Sequence, residues 1–432
     1  MTSPSDSLKH APDALASIRS YHERSKHSRQ RYAAGPDTLD WDAQPNPFRT
    51  FAGAARIALS APGRALVAPF GALFAATPDA PGAIKAEAVN LDTLALLLEL
   101  ALGLSAWKQS GPDRWAVRCN PSSGNLHPTE AYLLCVQVPG VEDGVYHYAS
   151  RAHALEQRCR SAPLTHEAGP AVHIALSSIH WREAWKYGER AFRYCQLDCG
   201  HAIGALRYAA AALGWSLRLD EQIGSERLAS LLGLDRAADF AGAEREEAEL
   251  LLTLTPNVAP VVADGMPLSV ARLPDSVNGV WSGRANVLDA HPMFRWPVIG
   301  EVARASRQPA AANPISAASA AHWRSARCAD TAHGTAPVRE PSALLTGPSA
   351  AELIRQRRSA QYFDRRATLG QTEFFRMLDA LLPCSNGPWE TDGEARIHAL
   401  LFVHRVDGLA PGLYALPRSA AGERQLRAAL HP

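Results

Sequence analysis

The hydrophobic pattern divides the chain into apolar elements separated by polar or small-residue stretches. The segment NLDTLALLLELALGLS (90–105) is apolar on nearly every side and begins with Asn90 in an N-cap position, which predicts a buried helix. TEAYLLCVQV (129–138) becomes β-rich at its end, and GVYHYAS follows a turn containing Asp143 and Gly144, so a hairpin is expected. AVHIALSS (171–178) and EAELLLTLTP (247–256) read as further strands. Between them, residues 181–215 are Ala-rich and read as one long helix, with Gly214 where a C-terminal cap belongs. The first 50 residues are polar: YHERSKHSRQRY reads as a short solvated helix and PDTLDWDAQPNPF as loop. From 257 to about 345 the chain is rich in Pro, Ala and Ser and reads as linker or irregular wrap. PSAAELIRQRRSAQYF (348–363) opens a new helical unit, where Ser349 and Glu352 have capping-box spacing.

The pattern also repeats. LLCVQVPGVEDGVYHY (133–148) returns as LLFVHRVDGLAPGLYAL (400–416), and LDTLALLLELAL (91–102) matches LGQTEFFRMLDALL (369–382) at nearly the same offset. Equal offsets at two places favour a duplicated domain. The second copy has PCSNGPWETDGEARIHA between helix and strand, and no counterpart of 181–215.

Composition narrows the classes. A length of 432 residues favours two domains, and 47% hydrophobic with 20% charged residues is an ordinary globular balance. A formal net charge of +1 gives no nucleic-acid surface. The seven cysteines (119, 135, 159, 195, 199, 328 and 384) include no CxxC pair, so reduced thiols are expected rather than zinc or disulfides. A polar N-terminus and the lack of an uncharged apolar run of about 18 residues argue for a cytoplasmic protein without membrane spans.

Three stretches could carry chemistry, and each has a plain structural reading beside it. RCNPSSGNLHP (118–128) offers Ser122, Ser123 and Asn125 as donors and Gly124 as a close-approach position, or is simply a surface turn. RQRRSAQYF (355–363) could clamp a phosphate with Arg357, Arg358 and Ser359, or is a solvated basic face. In AWKYGERAFRY, Lys186 or Tyr187 could move a proton, while Tyr187, Arg190, Tyr194 and Asp198 share one helical stripe; the alternative is an ordinary amphipathic helix. His201 has only Cys195 or Cys199 as neighbours of suitable spacing for a metal, so a packing role is expected. GxSxG, P-loop, HExxH and GxGxxG motifs do not occur.

Taken together, NPSSGNLHPTEAYLL, GVYHYASRAHALE, WKYGERAFRYCQLDCGHAIGAL, AALGW and RRSAQYF resemble the SagB-type dehydrogenases of the nitroreductase-like, FMN-dependent fold. The resemblance implies an α+β fold, an antiparallel sheet flanked by helices, duplicated in tandem with a partial second copy. It implies an N-terminal extension (1–89), a first nitroreductase-like domain (90–260), a linker (261–345) and a partial second domain (346–432). Arg118, Pro121, Ser122, Ser123, Gly124 and Asn125 would lie at the flavin or its ribityl chain, and Leu213, Gly214 and Trp215 at the isoalloxazine edge. Arg357, Arg358 and Ser359 would hold the FMN phosphate, since the first copy offers only Arg49 near the corresponding place. Lys186 and Tyr187 would handle the proton while hydride passes to the flavin, as in azoline-oxidising members. A composite site across the two copies is expected, acting on a peptide or small-molecule substrate, with NAD(P)H a candidate reductant. The assembly would be a homodimer or a pseudo-dimer within the chain. The competing expectation is a flavin-binding or partner-binding pseudoenzyme without turnover.

Overall fold

The computed structural model describes residues 11–60, 66–74, 82–164, 170–256, 273, 276–309, 347–360, 362–382, 395 and 397–430. Cys328, Cys384, most of the Pro/Ala/Ser-rich stretch and most of the 383–399 connection lie outside these residues. The chain divides into two compact units, Met1–Leu66 with Lys85–Ala312, and Val67–Ile84 with Asn313–Pro432.

The first unit is built on an antiparallel sheet. Its strands are β1 (Ala55–Ala58), β2 (Thr129–Val136), β3 (Gly144–Ala149), β4 (Ala154–Ser161), β5 (Ala171–Ser178), β6 (Trp215–Leu219), β7 (Glu247–Pro256) and β8 (Gly279–Trp281). They run in the order β8-β4-β3-β2-β5-β7-β6, with β1 also paired to β4. The expected hairpin is β2–β3, in register Tyr132↔His147 and Leu134↔Val145. β2, β3 and β5 are buried along their whole length, which is why they read as near-continuous apolar runs instead of alternating ones. The helices are α1 (Ala11–Arg24), α2 (Leu91–Leu102), α3 (His180–Tyr187), α4 (Ala191–Ala212), α5 (Ser225–Leu232) and α6 (Pro297–Ala305). Asn90 caps α2 as expected, in a reciprocal box with Thr93, and α2 packs against α4.

Four expectations are corrected. The helix predicted over 90–105 stops at Leu102; Leu104–Ser110 and Asp113–Arg118 form a separate hairpin. The single helix predicted over 181–215 is two helices, broken at Gly188 with φ 53° and ψ −130°. A Cβ at Gly188 would lie 2.5 Å from Gly35 Cα and 2.6 Å from the Ala34 carbonyl, so the N-terminal segment approaches too closely for any other residue. The solvated helix expected over 21–32 lies instead at Ala11–Arg24 and is docked: Tyr21 is buried and donates to the Glu189 carbonyl at 2.7 Å. Nor are residues 276–309, within the expected 261–345 linker, mere linker, because β8 and α6 arise there, and α6 packs on α1.

Across the sheet runs a buried chain of charges. Arg182 Nη1 donates to Glu130 Oε1 (2.5 Å) and to the His127 carbonyl (2.6 Å). The other Glu130 oxygen meets His147 Nε2 at 3.1 Å, and His147 Nδ1 meets Glu156 Oε2 at 3.0 Å. Arg56 closes the chain on Glu156 Oε1. Burial alone would raise the Glu130 carboxyl, but Arg182, His147 and Arg118 outweigh it and hold it well below the usual carboxylate range. Burial likewise opposes the Glu156 charge, and His147 and Arg56 again win. A carboxylate held low stabilises the fold above its ordinary range and loses that contribution as pH falls through its folded value. The melting temperature is therefore expected to hold between pH 7 and about pH 5 and to fall from there toward pH 3 as the two carboxylates protonate; the absence of any fall below about pH 5 would rule out the network as a stabilising element.

The second unit contains α7 (Ala350–Gln356), α8 (Gln371–Asp379), α9 (Ala420–Leu430) and a hairpin of Ala399–Val403 with Gly412–Leu416. The stretches that matched in sequence thus form like elements in both units, a helix and a two-stranded antiparallel pair. Ser349 caps α7 by accepting from the Glu352 amide at 3.1 Å, as expected. The helix ends at Gln356, short of the predicted 363, and Arg357 turns to ψ 131°.

Candidate functional site

The loop between Pro121 and Pro128 is wound tightly, with left-handed φ at Gly124 (60°), Asn125 (61°) and His127 (51°). Asp198, fully buried on α4, organises it. Ser122 Oγ donates to Asp198 Oδ2 at 2.6 Å, and the Ser123 amide and hydroxyl donate to Oδ1 at 3.1 and 3.3 Å. Ser122 Oγ also accepts from the His127 amide at 2.8 Å, and Asn125 Nδ2 donates to the Ala116 carbonyl at 2.9 Å. The hydroxyl and amide groups expected to face a ligand are therefore engaged inside the protein, and Pro121 and Gly124 form the exposed face.

The loop and the Lys-Tyr helix come together. A Cβ built on Gly124 would lie 2.7 Å from Tyr187 Oη and 3.3 Å from Lys186 Nζ. Tyr187 stacks on Tyr194 with ring centroids 4.4 Å apart, and Arg190 lies over Tyr194. Burial, with Glu183, Tyr194 and Asp198 adding to it, pushes the Tyr187 hydroxyl up to about 12, so it is a proton donor at neutral pH. Lys186 Nζ sits 5.3 Å from the centroid of Trp41, an exposed indole held edge-on against Trp185. Trp41 belongs to a short 3₁₀ turn, Trp41–Ala43, in the segment read as loop. Nothing in its local pattern marked it, because its partner lies about 140 residues away in sequence.

The remaining expected residues are placed elsewhere. Arg118 is buried, and its guanidinium donates to the Pro47 and Thr129 carbonyls. Burial lowers it to about 10, and it braces the loop from within instead of facing a ligand. Arg49, the first-copy candidate for a phosphate, is likewise buried against Glu246 at 2.9 Å and the Glu244 carbonyl at 2.5 Å. Leu213 and Trp215 are buried, and Trp215 Nε1 donates to the Glu87 carbonyl at 2.8 Å. The α4 helix separates them from Asp198 by roughly 20 Å at 1.5 Å per residue, so the turn at 213–215 does not join the loop site. Arg357, Arg358 and Ser359 are exposed in the second unit, where Arg358 Nη1 donates to the Arg355 and Arg357 carbonyls. His201 is exposed on α4, and among the described residues no group of three or more His, Cys, Asp and Glu side chains could hold a metal. Cys119, Cys135, Cys159, Cys195 and Cys199 are buried and form no disulfide among the described residues.

Removing the loop's anchor tests this geometry. Asp198→Asn keeps the size but removes the charge and turns one acceptor into a donor facing the Ser123 amide. A loss of about 1.5–3 kcal/mol is expected, read by chemical denaturation. Faster hydrogen exchange at the Ser123 amide should accompany it, and unchanged exchange there would show that the loop holds itself.

An antiparallel sheet flanked by helices, with this loop leading into β2, defines a nitroreductase-like α+β fold. Residues 84–243 match the family model described as Nitroreductase family and constitute a nitroreductase-family domain. Over 105 residues the chain is 32% identical to MJ1384 of Methanocaldococcus jannaschii, a protein named as a nitroreductase, covering 22% of this chain and 52% of that one. It is 30% identical over 167 residues to the trifolitoxin-processing protein TfxB of Rhizobium leguminosarum bv. trifolii, covering 34% of this chain and 44% of that one. The chain thus spans about half the length of the curated relatives it matches. A crystal structure of a protein from Anabaena variabilis, also named as a nitroreductase, superposes over 92% of this chain and 76% of its own, with TM-score 0.59 at 20% identity, a likeness of fold. Among the described residues no helix is long and apolar enough to cross a membrane.

Proposed function

We propose that the protein is an FMN-dependent oxidoreductase of SagB-dehydrogenase type, which removes hydride from a peptide-derived or small organic substrate. The observation that carries this reading is the approach of Lys186 and Tyr187 to Gly124 within a nitroreductase-family domain. Nitroreductase-family proteins generally use FMN, and similarity to a trifolitoxin-processing protein supports a peptide as the molecule modified.

The loop fits the ring portion of a flavin. Gly124 leaves backbone exposed where a side chain would collide with Tyr187, and Asp198 pre-orders the turn so that a planar ligand need not. Bound FMN would supply a two-electron acceptor. Tyr187, held protonated, orients a substrate heteroatom by donating from Oη, while Lys186 Nζ takes the substrate proton. Trp41, itself packed on Trp185, flanks Lys186 on one side.

Titration of the purified protein with FMN tests the reading. Stoichiometric uptake is expected, with bleaching of the bound chromophore on adding NAD(P)H or substrate. Absence of uptake would remove the proposal, and uptake without bleaching by any substrate would favour a flavin-binding pseudoenzyme. The phosphate role expected of Arg357 and Arg358 is tested in the same titration with both replaced by alanine, which should weaken uptake.

A further inference from the structure

Glu183 has no place in the chemistry described so far, yet it occupies an unusual position. It is fully buried on α3, and neither carboxyl oxygen has a hydrogen-bond partner among the described residues. It precedes Lys186 by three residues and Tyr187 by four, so all three lie along one face of that helix. The titratable groups around it are Lys186 and Tyr187 on its own helix, and Cys195 and Asp198 on α4. Asp198 must stay an acceptor, because Ser122 and Ser123 donate three bonds to it. A second carboxylate beside it, stripped of water and without a hydrogen-bond donor, would carry a large electrostatic penalty. As a neutral acid Glu183 avoids that penalty.

We propose that Glu183 is a positioning residue for the Lys186–Tyr187 pair, a buried acid that is protonated in the resting protein and whose gain or loss of one proton sets how firmly Lys186 holds its own. When the Glu183 carboxyl releases its proton to a solvent base, one negative charge appears a single helical turn from Lys186. That charge favours the ammonium form of Lys186 and opposes its action as a base. With Glu183 neutral, that attraction for the Lys186 ammonium is absent. Burial first, with the Asp198 charge second, raises the Glu183 carboxyl to about 9, above the neutral range. The charge at Lys186 is thus governed by a group that touches neither substrate nor cofactor. The catalytic meaning of this arrangement rests on the reading of Lys186 as the proton acceptor, but the coupling itself can be measured without flavin or substrate.

The test is trace acylation of lysines across pH 7–11, with Lys186 quantified by peptide mass spectrometry and exposed Lys26 as internal reference. Glu183→Gln keeps the shape and cannot ionise. Its Lys186 should become about twofold more reactive at pH 10 than in the wild type, from a half-unit fall in the labelling midpoint, with Lys26 unchanged. Superimposable Lys186 profiles would overturn the proposal. Infrared difference spectroscopy of the wild type with isotope-labelled glutamate supplies a second measurement, should the variant fail to fold. A protonated-carboxyl C=O band is expected at pH 7, disappearing as pH passes about 9; no such band at pH 7 would also overturn it. If both results hold and FMN is not taken up, the coupling stands and the flavin reading falls. If FMN turns over while the labelling profiles coincide, the flavin reading stands and the role of Glu183 falls.

Discussion

Arg182→Ala is expected to lower the stability of the first unit by about 3–5 kcal/mol, because it removes the cation that compensates a buried carboxylate. For a folding unit of this size that corresponds to a fall of about 6–20 °C in melting temperature. Arg182 and Glu130 are both buried and bonded at 2.5 Å, and Arg182 also satisfies the carbonyls of His127 and Asn46. Without it, Glu130 keeps a hydrogen bond to His147, whose second nitrogen already engages Glu156, and the unbonded charge of Arg118. The fork geometry matters as well, so Arg182→Lys should recover only part of the loss. The decisive comparison is the double variant Arg182→Met, Glu130→Leu. If the penalty is uncompensated charge, the pair should be more stable than Arg182→Ala alone; equal destabilisation would assign the loss to packing instead.

Lys186→Ala should reduce hydride removal from substrate by 10²- to 10⁴-fold while leaving FMN uptake within a few-fold of the wild type. The expectation follows from placement. Lys186 is half-buried at the rim beside Gly124 and Trp41, where the proposed function makes it the proton acceptor and the Tyr187 hydroxyl, held protonated, a donor. Truncating it opens no core cavity, so a stability change below about 1 kcal/mol is anticipated. Stopped-flow bleaching of bound flavin by a turning-over substrate separates the outcomes. An unchanged bleaching rate with FMN retained would show that another group takes the proton.

Elements carried by local pattern were legible in the sequence. β5 and β7 occupy the predicted 171–178 and 247–256, and Asn90 and Ser349 cap the helices they were expected to cap. What escaped depended on partners distant in the chain. The break at Gly188 is imposed by Ala34 and Gly35, against an Ala-rich run whose propensity favours an unbroken helix. The loop at 121–125 stood out through its turn formers, but its polar groups point at Asp198, whose role as anchor no spacing rule reveals. Lys186 and Tyr187 were singled out through the resemblance. Glu183 was not, since a carboxylate on an amphipathic helix reads as solvated until its burial is known. Arg49 and Arg118 were assigned to phosphate and flavin through the resemblance, and their interior acceptors, Glu246 and the Pro47 carbonyl, could not be read from local sequence.

The stretch matching the family model begins at residue 84, yet much of what steadies the Lys186–Tyr187 helix lies before it. Tyr21 and Arg24 bind Glu189, Ala34 accepts the Glu189 amide at 3.1 Å, Asn46 accepts from Arg182, and Phe51 sits in the core beneath the sheet. A fragment excised at the homology boundaries would lose the clamp on its kinked helix pair and expose the apolar underside that Phe51 covers. The evolutionary module and the cooperative folding unit therefore do not coincide in this chain, and the amino-terminal arm serves as scaffolding for the candidate site.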